Sequence, residues 1–455
     1  MLKVSDEVKS AYNSDSCIKS LKVIFPELNL TFNNEQIISE SFKLKESVLE
    51  GDSLEFIGCI SSYMSVQIHN LEANVKNRRV EVYVTDNVTN TEIPLFIGVV
   101  DSATKKGYEG VKTIEAYDDL YHLGEIDVTD WYNEHPTTTV QRLLVELAEL
   151  SGFEIDKGIT MPNGMITAFC GLYNQASQLS ALILLKQICQ INGGFGRINR
   201  YGKFDMLFLT DELAIKRFPA TILFPFHDYN LYPNQPGTVE PTKRPDFTFP
   251  FYENVEFEEF NVKAIDKVVI RDYEDEKGVF YGTGNNKYII QGNLFAFGQT
   301  QLDLQIIAGQ IYKRTNGTSF TPFKSKNYGL PWVECGDNVY YKDIDGEEEI
   351  HRSFFVFSRT LSGIQYMKDT YTTKGQENQS EFITDLGSQI KNLTEQIKKE
   401  KEKNEIEELR KRVARLEALV GSVRTVTGLP VDSPISEALW LDVAARESVV
   451  DVVEG

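Results

Sequence analysis

Residues 78–102 read RRVEVYVTDNVTNTEIPLFIGVVDS. Val80, Val82 and Val84 alternate with Glu81, Tyr83 and Thr85, the period-two pattern of a strand with one face in a core. The Asn and Asp content of DNVTNTE (86–92) predicts a hairpin loop before the next run, IPLFIGVVDS. Outward from this pair, SLEFIGCI (53–60), SVQIHNLE (65–72) and VKTIEAYD (111–118) repeat the strand character. Short strands at this spacing from Gln36 to Ala116 predict a compact barrel or sandwich.

The pattern changes after Tyr132. Thr137 to Thr139 offer hydroxyl caps ahead of Val140, Leu143, Leu144, Leu147 and Leu150, an amphipathic helix stopped by Gly152. A second helix carries Leu179, Leu182, Ile183 and Ile188 on one face and ends at Asn192-Gly193-Gly194. GFGRI and KFDMLFL then flank Asn199 to Gly202 as a hairpin. Phe218 to Phe251 is rich in proline and aromatics without a period and reads as an ordered connector.

Strands return from Asn261 to about Thr372 in KAIDKVVIRD, NKYIIQG, WVECGDNVYYKD, RSFFVFSRTL and IQYMKDTY. A helix is expected around Leu302 to Tyr312, and a hairpin at Gly282 to Asn286. Beyond Gly375, Ile383, Leu386, Ile390, Leu393 and Ile397 take alternating a and d positions of a heptad. KKEKEKNE interrupts it, and Ile406, Leu409, Val413, Leu416 and Val420 resume out of frame.

The fold class read from this is α+β, mainly β: two β-barrel-type domains flanking a small α+β domain, then a C-terminal coiled coil. The divisions are a barrel at 1–126, the α+β unit at 127–215, the connector at 216–260, a second barrel at 261–375, the interrupted coiled coil at 376–421 and a tail or docking segment at 422–455.

With 455 residues, 41% of them hydrophobic, the chain can close several cores. Lys and Arg total 47 against 67 Asp and Glu, a net charge of −20 that argues against a phosphate-gripping protein. No apolar run approaches a membrane span and no signal-peptide core is present, so a soluble protein that is not Sec-exported is expected. The five cysteines form no C-x-x-C pair and the five histidines no close metal pair, so neither metal nor cofactor is expected. NGGFGR and YGTGNNK lack the lysine and strand-to-helix context of a phosphate cradle and read as turns. Cys170 or Cys189 could serve a peptidase as nucleophile, although Cys189 sits on a buried helical side. Glu253, Glu256, Glu258 and Glu259 could supply a glycosidase pair, but a solvated charge run explains them as well.

Three segments in order, EAYDDLYHLGEIDVTDWYN (115–133), QICQINGGFGRINRYGKFDMLFL (187–209) and GLPWVECGDNVYY (329–341), resemble the tail-tip or baseplate hub proteins of tailed bacteriophages and prophage-like particles. The likeness covers about Leu21 to Thr372. It implies a virion component, made in the host cytoplasm, whose two β domains form a trimeric ring continuing the tail tube. A distal tail protein or the tube would sit on one side and a tip, spike or fibre protein on the other, with DNA passing through unspecifically. Arg412 at g and Glu417 at e fit a trimeric coiled-coil signature, whereas Ile at a with Leu at d ordinarily favours two strands. An acidic lumen is expected on the net charge. A cell-wall or capsule hydrolase, or an adhesin using Tyr229, Tyr232 and Tyr252 on sugars, are the competing functions.

Overall fold

In the computed structural model the valines of the opening stretch do what their period requires. The strand Arg79–Asp86 buries Val80, Val82 and Val84 completely. Asp86 then shapes the loop, accepting from the backbone N–H groups of Val88 and Thr89 at 2.9 and 2.6 Å. The structure describes residues 2, 4–12, 14, 17–49, 58–106, 110–171, 178–208, 252–271, 278–316, 319–345, 348–375 and 381–385.

Arg79–Asp86 belongs to an eleven-stranded antiparallel sheet. Its order is Tyr252–Phe257, Phe323–Tyr328, Lys368–Thr373, Ser358–Ser362, Lys43–Ser47, Tyr63–His69, Val111–Tyr117, Ile93–Lys106, Arg79–Asp86, Lys19–Phe25, Leu30–Phe32. The sheet therefore runs through both β-rich segments, and among the described residues no barrel closes. This corrects the expectation of two separate barrels. The link is Lys43–Ser47, which pairs with Tyr63–His69 on one edge and with Ser358–Ser362 on the other, from Ser47 opposite Ser358 to Lys43 opposite Ser362. A strand with one open edge leaves backbone donors and acceptors unpaired, and here each β segment supplies the other's missing partner.

The helical unit matches its caps. Val140–Ser151 starts at Thr139, whose hydroxyl accepts from the Arg142 N–H at 3.3 Å, and ends at Gly152 with φ 77°. Ala181–Asn192 is capped by Ser180 and stopped by Gly193 at φ 69°. Leu143, Leu144 and Leu147 are buried, but Leu150 is 50% exposed. In the second helix Leu184, Leu185 and Ile188 form the buried face, Leu182 and Ile183 are only partly covered, and Leu179 precedes the cap. Phe195–Ile198 and Lys203–Leu207 form the expected hairpin, with Glu154–Ile155 added in parallel.

A smaller sheet runs Val279–Gly282, Lys267–Arg271, Lys287–Gln291, Glu381–Asp385, and the helix Gln301–Thr315 packs on it behind a Thr300–Asp303 capping box. Gly282 to Asn286 is not a hairpin: Lys267–Arg271 lies between the strands on either side of it, antiparallel to the first and parallel to the second. Ile383 also departs from its expected place. It lies in the strand Glu381–Asp385 opposite Ile289, so the first heptad position is a sheet residue. Leu386, Ile390, Leu393, Ile397, Ile406, Leu409, Arg412, Val413, Leu416, Glu417 and Val420 lie outside the described residues.

The helical unit docks through Gly196, which donates its backbone N–H to Gly58 at 2.9 Å. A Cβ there would lie 2.4 Å from Cys59 Sγ and 2.9 Å from Cys189 Sγ, both sulfurs buried. Gly196→Val is expected to lower stability by about 2 kcal/mol or more through overpacking, read as an earlier denaturant midpoint, with Gly152→Ala, where a Cβ meets open space, as a milder control limited to backbone strain.

Candidate functional site

The sheet junction is built around a buried cation. Arg359, on the strand Ser358–Ser362 that pairs with the link, has no exposed side-chain surface, and neither does Asp369 on the neighbouring strand. Its Nε meets both Asp369 oxygens at 2.9 and 3.1 Å and its Nη2 meets Oδ2 at 2.6 Å. Tyr371 donates its hydroxyl to the same Oδ2 at 2.9 Å. Burial alone would drive the proton off Arg359, but Asp369 reverses this and holds the guanidinium charged.

The remaining donors of Arg359 reach a loop. Nη2 donates to the Leu330 carbonyl at 2.7 Å and Nη1 to that of Val333. Arg200, from the turn of the 195–207 hairpin, donates to the carbonyls of Pro331 and Val333 at 3.1 and 3.0 Å and to that of Pro94 at 3.3 Å. Both arginines share Glu46 Oε2, at 2.8 Å from Arg200 and 3.4 Å from Arg359. A third, Arg197, reaches Glu334 at 3.4 Å and the Cys335 carbonyl at 3.3 Å. Burial would raise the Glu334 carboxyl, but neighbouring positive charge, Arg197 foremost, overcomes it and holds the carboxyl below the usual carboxylate range. Residues 330–337 are thus an irregular loop whose inward carbonyls are satisfied by arginines from two parts of the chain.

Two of the three sequence segments singled out above therefore meet here, INGGFGRINR through Arg197 and Arg200 and GLPWVECGD through the loop. The third, EAYDD, contributes Asp118 close by. It accepts from the Ser61 hydroxyl at 2.8 Å and from the Ser62 and Leu120 N–H groups at 2.7 and 3.1 Å. Its burial pushes the carboxyl up to about 7 against those hydrogen bonds.

The proposed nucleophiles are placed otherwise. Cys189 is fully buried with Cys59 Sγ at 3.5 Å, and burial pushes its thiol well up. Cys170 is half-buried, its thiol raised to about 11 chiefly by burial. Activated thiols need the opposite shift. Glu253, Glu256, Glu258 and Glu259 are exposed on or beside the outermost strand, Glu253 pairing with Lys368 at 3.3 Å. Tyr229 and Tyr232 lie outside the described residues. Among those residues no group of three His, Cys, Asp or Glu side chains could hold a metal. Glu46, Arg359 and Asp369 went unread because KLKES and KDTY show polar residues at strand spacing, which by pattern belong to a solvent face; only their alternation with Leu44, Leu361 and Tyr371 marks them as inward.

Arg359→Met is expected to cost about 3–5 kcal/mol, because Asp369 is left buried and unpaired. Arg359→Met with Asp369→Leu should recover much of that loss, because the Val333 carbonyl still accepts from Arg200 and the Leu330 carbonyl from the Val333 N–H, while the Tyr371 hydroxyl, without Asp369, retains a cost of about 1–3 kcal/mol; chemical denaturation of both variants checks the order. Asp118 releases its proton near 3.8 when unfolded and near 7 when folded. Between these values the folded state holds the extra proton, so stability falls as pH rises through this window, by up to about 4 kcal/mol. Asp118→Asn should flatten that slope in melts taken from about pH 4 to 7.

No family model matches the chain, and no curated protein matches it. Solved structures similar to it include a tail protein from Neisseria meningitidis MC58, at TM-score 0.47 and 10% identity over 78% of this chain and 97% of that one. The 43 kDa tail protein of prophage MuSo2 from Shewanella oneidensis gives 0.44 and 9% over 78% and 97%. Prophage tail protein gp18 from Listeria monocytogenes EGD-e gives 0.42 and 12% over 82% and 99%. All three are described as tail or prophage tail proteins, the class that the sequence resembles.

Proposed function

We propose that this chain is a structural hub of the tail tip of a phage or phage-like particle, three copies of which close into a ring that continues the tail tube. One observation carries the reading: a single eleven-stranded sheet, locked at its junction by a fully buried ion pair, forms a continuous wall out of sequence-distant segments. Its outermost strands, Tyr252–Phe257 and Leu30–Phe32, each leave an edge unpaired among the described residues. An open sheet of this size needs its edges covered, and neighbouring copies in a ring would cover them. The heptads of 386–420 would bundle the copies, with Arg412 and Glu417 selecting three strands over two. On this reading a distal tail or tube protein contacts one rim, a tip, spike or fibre protein the other, and DNA passes through.

The same reading gives the chain no chemistry of its own. Buried, raised thiols and an exposed glutamate run offer neither an activated nucleophile nor a paired acid and base.

Light scattering on the full chain is expected to give three times the chain mass, and a dimeric or monomeric mass sinks the ring. Arg412→Ala should weaken the trimer; an unchanged trimer would show that this pair does not select it. Antibodies to the chain should label one end of purified particles, and clear lysis of host cell walls in a zymogram would return the hydrolase.

A further inference from the structure

The four strands at the junction sort their charges across the sheet. Their outward positions are Lys43, Lys45 and Ser47; Ser358, Thr360 and Ser362; Lys368, Thr370 and Thr372; Lys324, Lys326 and Tyr328. Those twelve residues include five lysines, six hydroxyl residues besides the tyrosine, and no carboxylate. The acids of the same strands, Glu46 and Asp369, face inward to the buried arginines. In a chain of net charge −20, this face is locally basic.

The register aligns the face in rows. Lys326, Thr370, Thr360 and Lys45 lie directly across from one another in successive strands, as do Tyr328, Lys368, Ser362 and Lys43. Strand spacing puts the Lys43/Lys45 column about 14 Å from the Lys324/Lys326 column. Among the described residues no ion pair engages Lys43, Lys45, Lys324 or Lys326; Lys45 lies over the Tyr63 ring at 5.7 Å. Acid flanks the face on both sides: on the outermost strand Glu253 pairs with Lys368 and Glu256 stands opposite Lys324, and two strands beyond Lys43 Glu115 accepts from the Tyr63 hydroxyl at 2.9 Å.

We infer that this face is a contact surface for the phosphates of duplex DNA. The choice of DNA rests on the tail-wall reading above; the contact chemistry rests on the face itself. Two lysine columns about 14 Å apart can meet phosphates on the two sides of a groove about 12 Å wide. The hydroxyls between them add donors to phosphate oxygens without reading a base. An acidic protein partner fits less well, because a stable protein interface needs a buried apolar or aromatic anchor and this face offers Tyr328 at one corner. This face is basic in a chain of net charge −20, and with few lysines and no base-reading groups it would grip DNA weakly and without sequence preference.

The test is anisotropy of a labelled duplex of about 20 base pairs with the full chain. With about four lysines engaged, saturable binding at about 50 mM NaCl should weaken roughly a hundredfold by about 200 mM and be the same for unrelated sequences. Replacing Lys43, Lys45, Lys324 and Lys326 together by Thr should weaken it about tenfold or more and flatten the salt dependence, whereas replacing them by Arg should preserve it. If the fourfold variant melts early, Lys45→Thr with Lys326→Thr, expected to bind several-fold more weakly, takes its place. No saturable binding at low salt, undiminished binding by the Thr variants, or tighter binding of polyglutamate than of DNA each overturns the inference. The tail-wall reading fails instead on oligomeric mass and particle labelling, so the two failures are distinguishable.

Discussion

The Arg359–Asp369 pair is the constraint on which the rest of the structure depends. It is fully removed from water, and a buried ion pair is tolerated only when every remaining donor finds an acceptor. Arg359 meets that demand with the carbonyls of Leu330 and Val333 and with Glu46, so three sequence-distant segments must be in place together. Glu46 in turn recruits Arg200, and Arg200 anchors the helical unit. A cluster of this kind adds less to net stability than an apolar core of equal volume. What it specifies is geometry, since a slip of one residue between Lys43–Ser47 and Ser358–Ser362 would turn Glu46 and Arg359 to opposite sides.

Local structure was legible in the sequence wherever one physical signal dominated. Alternating valines gave Arg79–Asp86, hydroxyl caps and a terminal glycine bounded Val140–Ser151 closely, and the Asn192-Gly193-Gly194 stop marked the end of Ala181–Asn192. The failures share a cause. Whether two β segments close on themselves or join is decided by long-range pairing, which leaves no periodic trace, and the joining strand KLKES looks solvated. Ile383 fits a heptad by spacing, yet its strand pairs in parallel with Lys287–Gln291, a long-range pairing overriding a local pattern. Of the junction, the segments INGGFGRINR and GLPWVECGD were visible as unusual text; that arginines from the first hold the carbonyls of the second was not.

Charge is organised by layer and not by domain. Over the four junction strands the sheet separates inward Glu46, Asp369 and Arg359 from outward lysines, so a summed charge misreports the face it presents. Low dielectric strengthens the inner pairs, while salt screens the outer lysines. The same strands can therefore be rigid on one side and weakly adhesive on the other.

The pairing of Lys43–Ser47 with Ser358–Ser362 also sets a schedule for folding. A nascent chain has made more than three hundred residues between the two partners before the second exists, and contacts of such separation form late. Throughout synthesis the first strand shows a bare edge, the feature that seeds aggregation. Its sequence, with lysines at every outward position but the last, is the kind of edge that resists pairing with strangers. The residues that hid this strand from a reader of hydrophobic patterns also guard it until its partner emerges from the ribosome.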